Sequence, residues 1–126
     1  MKHILIVEDN ASLQKVYSDV LTKEGYTVTS VEDGPSCLQA LRNNSIDLIL
    51  LDIMLPGGMN GFDVLMRLRQ KSEFSSIPTI VLSNLDSEKQ ACLDSGAIDY
   101  FVKSSMDVAT LVAKIHAHFQ SSKQLS

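Results

Sequence analysis

Acidic side chains stand next to one another near the start of the chain, at Glu8 and Asp9, directly after the apolar run "HILIV". Two neighbouring carboxylates repel each other, and in a partly enclosed place one of them ionises with difficulty unless a cation lies between them. A third acid, Asp52, ends a second apolar run, "DLILLD". Acids in this pattern suit a divalent cation, and a carboxylate can also attack phosphorus to form an aspartyl-phosphate.

Two more polar residues follow apolar runs farther along the chain, Ser83 after "IPTIVL" and Lys103 after "IDYFV". Mg²⁺ prefers oxygen ligands, keeps several waters and commonly bridges one or two carboxylates to a phosphate. The ammonium group of Lys103 would offset charge on a transferring phosphoryl group, and the Ser83 hydroxyl could donate a hydrogen bond to a phosphoryl oxygen. These residues predict phosphoryl chemistry, provided that the fold brings them together.

The elements that must position these residues alternate between strand-length apolar runs and segments of helical period. The runs that carry the acids are continuous, as in strands that are buried on both faces. We predict five strands, in "HILIVE", "YTVTSV", "IDLILLD", "IPTIVLS" and "IDYFV". We predict a helix after each of them: from Leu13 to Gly25, from Pro35 to "NNS", over "GFDVLMRLRQ", near Leu85 to Ser95, and from Val108 to Phe119 before a polar tail, "SSKQLS".

Five βα units with short connections predict an α/β fold, a doubly wound five-stranded parallel sheet with strand order 2-1-3-4-5, as in flavodoxin-like (βα)5 architectures. In such a sheet the ligand site lies beyond the carboxyl ends of the strands, at the switch point between the first and third strands. Glu8, Asp9 and Asp52 end those two strands. We therefore expect three carboxylates to converge at one edge.

Composition narrows the class of protein. The chain has 126 residues, 44% of them apolar and 21% charged, which fits one globular domain with a single core. A net charge of −4 argues against direct binding to nucleic acid or to an anionic membrane. The start does not fit a secretory signal and no segment approaches the length of a membrane span, so we expect a cytoplasmic protein. We expect Cys37 and Cys92 to be buried, reduced thiols.

Four stretches carry the site residues: "VEDN", "LLDIMLPGGMNG", "VLSN" and "DYFVKS". In these stretches the chain resembles the receiver domains of two-component response regulators, and the resemblance covers nearly the whole chain. It implies a receiver domain over residues 1–121, with residues 122–126 as a tail or the start of a linker. It also implies a phosphoryl transfer to Asp52 from a histidine kinase or a histidine phosphotransfer protein, in a reaction that needs Mg²⁺ or Mn²⁺.

The resemblance assigns metal ligands and switch residues. Glu8 and Asp9 match the metal-binding acidic pair, Asp52 matches the phosphoacceptor, which also ligates the metal, and the backbone carbonyl of Met54 matches the remaining ligand.

Three further residues match the rest of the receiver site: Ser83 the switch hydroxyl, Lys103 the lysine, and Tyr100 the aromatic that turns inward on activation. The signal then leaves through the face made by the fourth helix, the fifth strand and the fifth helix. Because the fifth helix offers few charges for ion pairs across an interface, we expect a monomer or a weak dimer.

The sequence departs from the receiver pattern in three places. The stretch "LPGGMNG" has one more residue than the common version, Ser104 replaces the usual proline after Lys103, and Asn84 replaces a small residue after Ser83. A cis peptide that does not precede proline costs about 3 kcal/mol, so we expect a trans peptide before Ser104. In receivers of this kind the side chains two positions after the phosphoacceptor and two positions after the switch hydroxyl border the approach of the attacking water. Here they are Met54 and Leu85, both apolar, so the resemblance implies slow hydrolysis of the phosphoryl group.

Other interpretations remain open from the residues. Asp9 or Asn10 could cap the first helix, Asp52 could be a turn residue, and Ser83 could be another helix cap. A small Mg²⁺-dependent phosphohydrolase with an Asp nucleophile is the alternative function, although such enzymes need an acid where this chain has Met54. A flavodoxin-like cofactor binder is a third class, but the acids after the first strand would repel its phosphate.

Overall fold

The computed structural model describes residues 1–105 and 107–125, with side chains described up to Gln120. Within these residues it has five strands, β1 (His3–Val7), β2 (Thr27–Val31), β3 (Leu48–Asp52), β4 (Thr79–Ser83) and β5 (Asp99–Val102). They alternate with the helices α1 (Ala11–Lys23), α2 (Gly34–Asn43), α3 (Gly61–Gln70), α4 (Lys89–Asp94) and α5 (Val108–Leu125). A 3₁₀ turn over Lys103–Ser105 precedes α5. The predicted alternation of strands and helices is confirmed.

The strands form one parallel sheet in the order β2-β1-β3-β4-β5, as predicted. In the register of the sheet Val7 lies opposite both Val31 and Leu51, and Ser83 lies opposite Val102. The strands therefore end together, and the residues that follow them stand side by side at one edge. Because the chain winds outward in opposite directions from β1 and β3, a crevice opens between these two strand ends.

Each face of the sheet carries its own apolar core. Leu5 and Ile49 belong to the core that packs against α2, α3 and α4. The neighbouring residues Ile4 and Leu48 point to the opposite face and belong to the core that packs against α1 and α5. All five residues of β3 are buried, Asp52 included. Burial on both faces explains why the apolar runs are continuous and makes the acid at the end of β3 conspicuous.

Polar side chains fix the start of the first three helices. Asn10 accepts a hydrogen bond from the Leu13 amide at 3.1 Å and caps α1. Asp33 and Asn60 cap α2 and α3 in the same way. Since Asn10 supplies the cap of α1, Asp9 is not needed for that purpose.

The fourth helix is shorter than the sequence predicted. We expected it near Leu85 to Ser95, whereas α4 covers only Lys89–Asp94. Glu88 precedes α4 without a side-chain hydrogen bond to the first turn, and a helix start without such a cap is weakly specified. The segment between β4 and α4 is therefore left as bends and turns beside the carboxyl edge of the sheet.

The last helix is longer than expected. It continues through Leu125, so the polar tail predicted from residue 121 onward is helical over residues 121–125. That stretch contains no glycine or proline to end a helix, which explains the error. The division into a domain over 1–121 and a tail or linker over 122–126 stays a prediction, and Ser126 lies outside the described residues. Even α5 lacks the hydropathy needed to cross a bilayer, as do the other helices that the structure describes.

Both cysteines are free and buried in helices, as expected, Cys37 in α2 and Cys92 in α4. Burial raises the pKa of the Cys37 thiol to about 12. This thiol is therefore protonated at neutral pH and unreactive, since the thiolate is the nucleophilic form.

Candidate functional site

Two carboxylates and one ammonium group meet at the carboxyl edge of the sheet. Glu8 directly follows β1, Asp52 is the last residue of β3, and Lys103 directly follows β5. The Lys103 Nζ atom lies 2.6 Å from Glu8 Oε1 and 3.0 Å from Asp52 Oδ2. The structure thus brings together three of the residues that the sequence singled out, from three different strands.

Both carboxylates are buried, Glu8 with 2% and Asp52 with 4% of its surface exposed. Removing charges from water is expensive, and a partner of opposite charge in direct contact offsets part of that cost. Burial by itself lowers the pKa of Lys103, but the hydrogen bonds to Glu8 and Asp52 outweigh burial and raise this pKa above its usual value. Lys103 therefore stays positively charged at neutral pH and holds the two acids together.

One lysine does not fully compensate two buried acids. Burial raises the pKa of Glu8 from 4.5 to about 7; the hydrogen bond from Lys103 opposes this shift, and the neighbouring Asp52 adds to it. A carboxyl group with a pKa near 7 is about half protonated at neutral pH. A further cation beside Glu8 would favour its ionised form.

Asp9 completes a cluster of three acids. One carboxylate oxygen from each of Glu8, Asp9 and Asp52 lies within 4.8 Å of the other two, and Asp9 is exposed whereas the other two are buried. Mg²⁺ binds through one or two carboxylates, requires oxygen ligands and keeps several of its waters. The donor set therefore fits a hard divalent cation, which Glu8, Asp9 and Asp52 would hold.

The acids line a cleft of about 470 Å³ at the edge of the sheet. Its walls are Glu8, Asp9, Asn10, Leu13, Asp52, Met54, Asn84 and Lys103. Five of these residues, Met54 among them, are ones that the sequence assigned to the metal site or its lysine. The cleft lies at the predicted switch point between β1 and β3. The space falls within the range typical of small-ligand sites.

Ser83 and Tyr100 lie on the far side of the site, toward α4. Ser83 ends β4, is fully buried, and accepts a hydrogen bond from the Leu85 amide at 3.1 Å. Tyr100, on β5, is 4% exposed, and its hydroxyl donates to the carbonyl oxygen of Leu85. Both side chains therefore hold the backbone of Leu85, and the aromatic ring of Tyr100 already faces inward.

The turn role that the sequence left open for Asp52 is present alongside the site. The helix cap left open for Ser83 is not, because Glu88 is the N-cap residue of α4 and Ser83 accepts its hydrogen bond from the Leu85 amide, outside that helix. Asp52 Oδ1 accepts a hydrogen bond from the Met54 amide at 3.0 Å, while Oδ2 contacts Lys103. A carboxylate has enough lone pairs to accept both hydrogen bonds. The turn interaction therefore orients Asp52 and does not exclude a chemical role.

The loop from β3 to α3 contains the extra residue noted in the sequence. Gly57 and Gly58 have φ angles of 82° and 79°, a region in which residues other than glycine are strained. The Met54 side chain is 59% exposed at the mouth of the cleft. Among the described residues no peptide bond is cis, so the peptide before Ser104 is trans, as expected.

Sequence reasoning missed the role of Gly61. Its amide donates to the carbonyl oxygen of Ile53 at 2.8 Å, and a Cβ atom at this position would lie 2.1 Å from the carbonyl oxygen of Asp52. The first residue of α3 therefore packs directly on the backbone that carries Asp52. Glycine immediately after the capping Asn60 was the available signal, because glycine allows such a close approach.

Comparison with known proteins gives a consistent result. Residues 4–116 match the family model described as "Response regulator receiver domain". The chain is 43% identical over 119 residues to the sensory transduction protein RegX3 of Mycolicibacterium smegmatis, covering 93% of this chain and 50% of that protein. The chain spans about half the length of the first curated relatives it matches.

Two solved structures illustrate the structural similarity. The receiver domain of the Francisella response regulator 1452 has a TM-score of 0.88 at 25% identity, with 97% of this chain and 99% of that chain covered. The Mn²⁺-bound form of the response regulator Rcp1 has a TM-score of 0.81 at 25% identity, with 94% of each chain covered. Neither comparison favours a phosphohydrolase. The family match over residues 4–116, together with the sheet order and the acidic cleft, shows that this chain belongs to the receiver domains of two-component response regulators.

Proposed function

We propose that Asp52 accepts a phosphoryl group from a histidine kinase or a histidine phosphotransfer protein, in a reaction that requires Mg²⁺ or Mn²⁺. The observation that carries the proposal is the position of Asp52: it is buried at the end of β3, 3.0 Å from Lys103 Nζ and in a cluster with Glu8 and Asp9. A carboxylate in such a place is a nucleophile with one charge-compensating group, Lys103, already in contact with it.

The transfer exchanges one bond to phosphorus for another. A carboxylate oxygen of Asp52 forms the new bond, and the bond between phosphorus and the donor's imidazole nitrogen breaks. Glu8, Asp9, Asp52 and the carbonyl oxygen of Met54 would hold the divalent cation, which lowers the energy of charge on the transferring group. Lys103 adds a positive charge to the same region, and it reaches Asp52 without any rearrangement.

Phosphorylation would be transmitted through residue 85. In the structure Ser83 accepts from the Leu85 amide and Tyr100 donates to the Leu85 carbonyl. Turning the Ser83 hydroxyl toward a phosphoryl oxygen would break its hydrogen bond with the Leu85 amide. The hydrogen bond from Tyr100 to the Leu85 carbonyl would then be the one left between these two side chains and Leu85. Because α4 starts without a side-chain cap, the segment before it is the part of the chain best able to move.

The output surface would be the face of α4, β5 and α5. A cleft of about 570 Å³ lies there, and its wall includes Asp86, Lys89 and Tyr100. Curated relatives include proteins named transcriptional regulatory proteins, and this chain covers about half their length. An output domain or partner would thus bind this face and respond to the position of Tyr100. Residues 1–121 would make no direct contact with nucleic acid. The protein would act in the cytoplasm.

We expect a monomer, or at most a weak dimer, in either phosphorylation state. The output face offers few charges from α5 beyond Asp107, just before it, and Lys114. Few ion pairs can therefore form across a symmetric interface through this face. Light scattering on the phosphorylated protein tests this expectation, and a tight dimer through α4, β5 and α5 would contradict it.

The central test is modification of Asp52. The protein is incubated with a small phosphodonor and Mg²⁺, and its intact mass is measured. We expect the mass of one phosphoryl group to be added, and we expect Asp52→Ala and omission of the metal to prevent it. Asp19→Ala is the matched control, because Asp19 is an exposed acid on α1 that pairs with Lys15. Unchanged modification of Asp52→Ala would disprove the assignment.

A further inference from the structure

The side chain of Gln14 ties together the ends of two strands beside the acidic pair. Gln14 lies in α1, and its Nε2 atom donates to the carbonyl oxygen of Glu8 at 2.7 Å and to that of Val31, the last residue of β2, at 2.9 Å. The Glu8 amide donates to the same Val31 carbonyl at 3.0 Å. These three hydrogen bonds close a ring that holds the backbone of Glu8 on both sides.

The chemistry of the acceptors fixes the orientation of the Gln14 amide. Both acceptors are carbonyl oxygens, so the nitrogen of the side chain must face them, and its two hydrogens serve one carbonyl each. Among the described residues the structure gives the Glu8 carbonyl no other donor. Loss of the amide therefore leaves a carbonyl at the strand end without its partner, and the backbone must shift to find water.

The backbone of Glu8 in turn sets the direction of its carboxylate. Glu8 Oε1 contacts Lys103 Nζ at 2.6 Å, and Glu8 Oε2 accepts from the Asn10 amide at 3.2 Å. Displacements of about 1 Å are enough to disturb such an arrangement. Asp9 lies between Glu8 and Asn10, so a shift of this loop moves both acids of the pair.

We propose that Gln14 is a positioning residue for Glu8 and Asp9, which fixes the loop between β1 and α1 in the geometry that a divalent cation needs. The proposal rests on the metal role assigned to these two acids under the proposed function. Gln14 touches neither the metal nor the phosphoryl group; it acts through the backbone of Glu8. Changing a group that orients metal ligands typically weakens metal binding by about 10- to 100-fold.

The first experiment measures Mg²⁺ affinity of the unphosphorylated protein. Gln14→Met keeps the length of the side chain and its preference for helix but has no hydrogen to donate. By titration calorimetry, at a temperature where circular dichroism shows every variant folded, we expect its Kd for Mg²⁺ to rise about tenfold. Gln39→Met is the matched control, because Gln39 is exposed on α2, and its Kd should equal that of the parent. Gln14→Asn keeps the amide but shortens its reach, and it should behave like Gln14→Met.

The second experiment needs no metal. Hydrogen exchange should become faster at the amides of Glu8 and Asn10 in Gln14→Met, while the amide of Ser36, which is bonded to the Asp33 cap of α2 at 2.8 Å, should be unaffected. If Gln14 has only a structural role, Gln14→Met will lower Tm but leave the Kd for Mg²⁺ and the hydrogen exchange at Glu8 unchanged. That result would overturn the proposal. If the parent itself binds no Mg²⁺, the metal role of Glu8 and Asp9 fails, and the positioning proposal falls with it. If the parent binds Mg²⁺ and Gln14→Met binds it equally well, the positioning proposal alone fails.

Discussion

Replacing Glu8 by glutamine should change how the stability of the metal-free protein depends on pH. Burial raises the pKa of Glu8 from 4.5 to about 7. A carboxyl group whose pKa is raised by folding binds its proton more tightly in the folded state than in the unfolded state. Its contribution to stability is therefore fully present below pH 4.5 and is lost as the pH rises through 7. Glutamine resembles the protonated acid and does not titrate.

The size of the effect follows from the shift in pKa. Each unit is worth about 1.4 kcal/mol, so the free energy of unfolding of the parent should fall by at most about 3 kcal/mol, relative to Glu8→Gln, between pH 4.5 and pH 7. In a domain of this size that corresponds to roughly 10 °C in Tm. Lys103 keeps its contact with Asp52 in the variant, so its positive charge is not left unpaired.

Urea titrations at several pH values between 4.5 and 7.5, in the presence of a chelator, measure this difference directly. The comparison of two variants removes the contributions of the other titrating groups, among them His118, whose pKa is lowered by burial and by Lys2. Glu73→Gln is the matched control, because it makes the same substitution at an exposed acid in the loop after α3.

A difference between Glu8→Gln and the parent that stays constant from pH 4.5 to pH 7 would refute the reasoning. It would mean that Lys103 fully compensates Glu8 in the folded protein. The need for a further cation at this site would then lose its electrostatic basis, even though the three acids remain close together.

Three further predictions concern the same edge of the sheet. Asp9→Asn should raise the Tm of the metal-free protein and weaken Mg²⁺ binding by calorimetry, whereas a lower Tm together with an absent Mg²⁺ response would count against the acidic cluster. Met54→Asn combined with Leu85→Glu should speed loss of the phosphoryl group in a decay time course, because polar groups can orient the attacking water and each ~1.4 kcal/mol of barrier is tenfold in rate. A decay rate equal to that of the parent would show that these two side chains do not control the access of water. Gly61→Ala should lower the free energy of unfolding by about 1–3 kcal/mol, since its Cβ would lie 2.1 Å from the Asp52 carbonyl oxygen; an unchanged urea midpoint would contradict the close packing.

The sequence predicted the sheet well because its signals are local and strong. Runs such as those in β1 and β3 are continuous and apolar, and short connections between parallel strands allow few topologies. Once the order was known, the convergence of Glu8, Asp52 and Lys103 followed from parallel geometry alone. The contact distances did not, because they depend on side-chain packing between strands that are far apart in sequence.

The errors lie where local signals are weak or absent. Helix α4 was predicted too long because Leu85 was counted as helical, whereas its backbone is held by Ser83 and Tyr100 outside the helix. The end of α5 was predicted too early because polar composition was taken as a sign of a tail. Gln14 and Gly61 were missed for another reason: their roles are contacts with backbone atoms, which no spacing of charged residues reveals.

The charges at the edge of the sheet explain why an apolar strand ends in two acids. With all three acids ionised, Glu8, Asp9 and Asp52 carry three negative charges against the single positive charge of Lys103. Two negative charges then remain, the number that one divalent cation neutralises. A site of this kind is costly for the metal-free fold, as the raised pKa of Glu8 shows. Phosphorylation of Asp52 would replace one carboxylate charge by roughly two charges on the phosphoryl group. Under the proposed function, that added charge would draw on Lys103 and on the Ser83 hydroxyl, and Ser83 would respond by breaking its hydrogen bond with the Leu85 amide. The imbalance that would favour a cation at this site would therefore also provide the means to move the segment before α4.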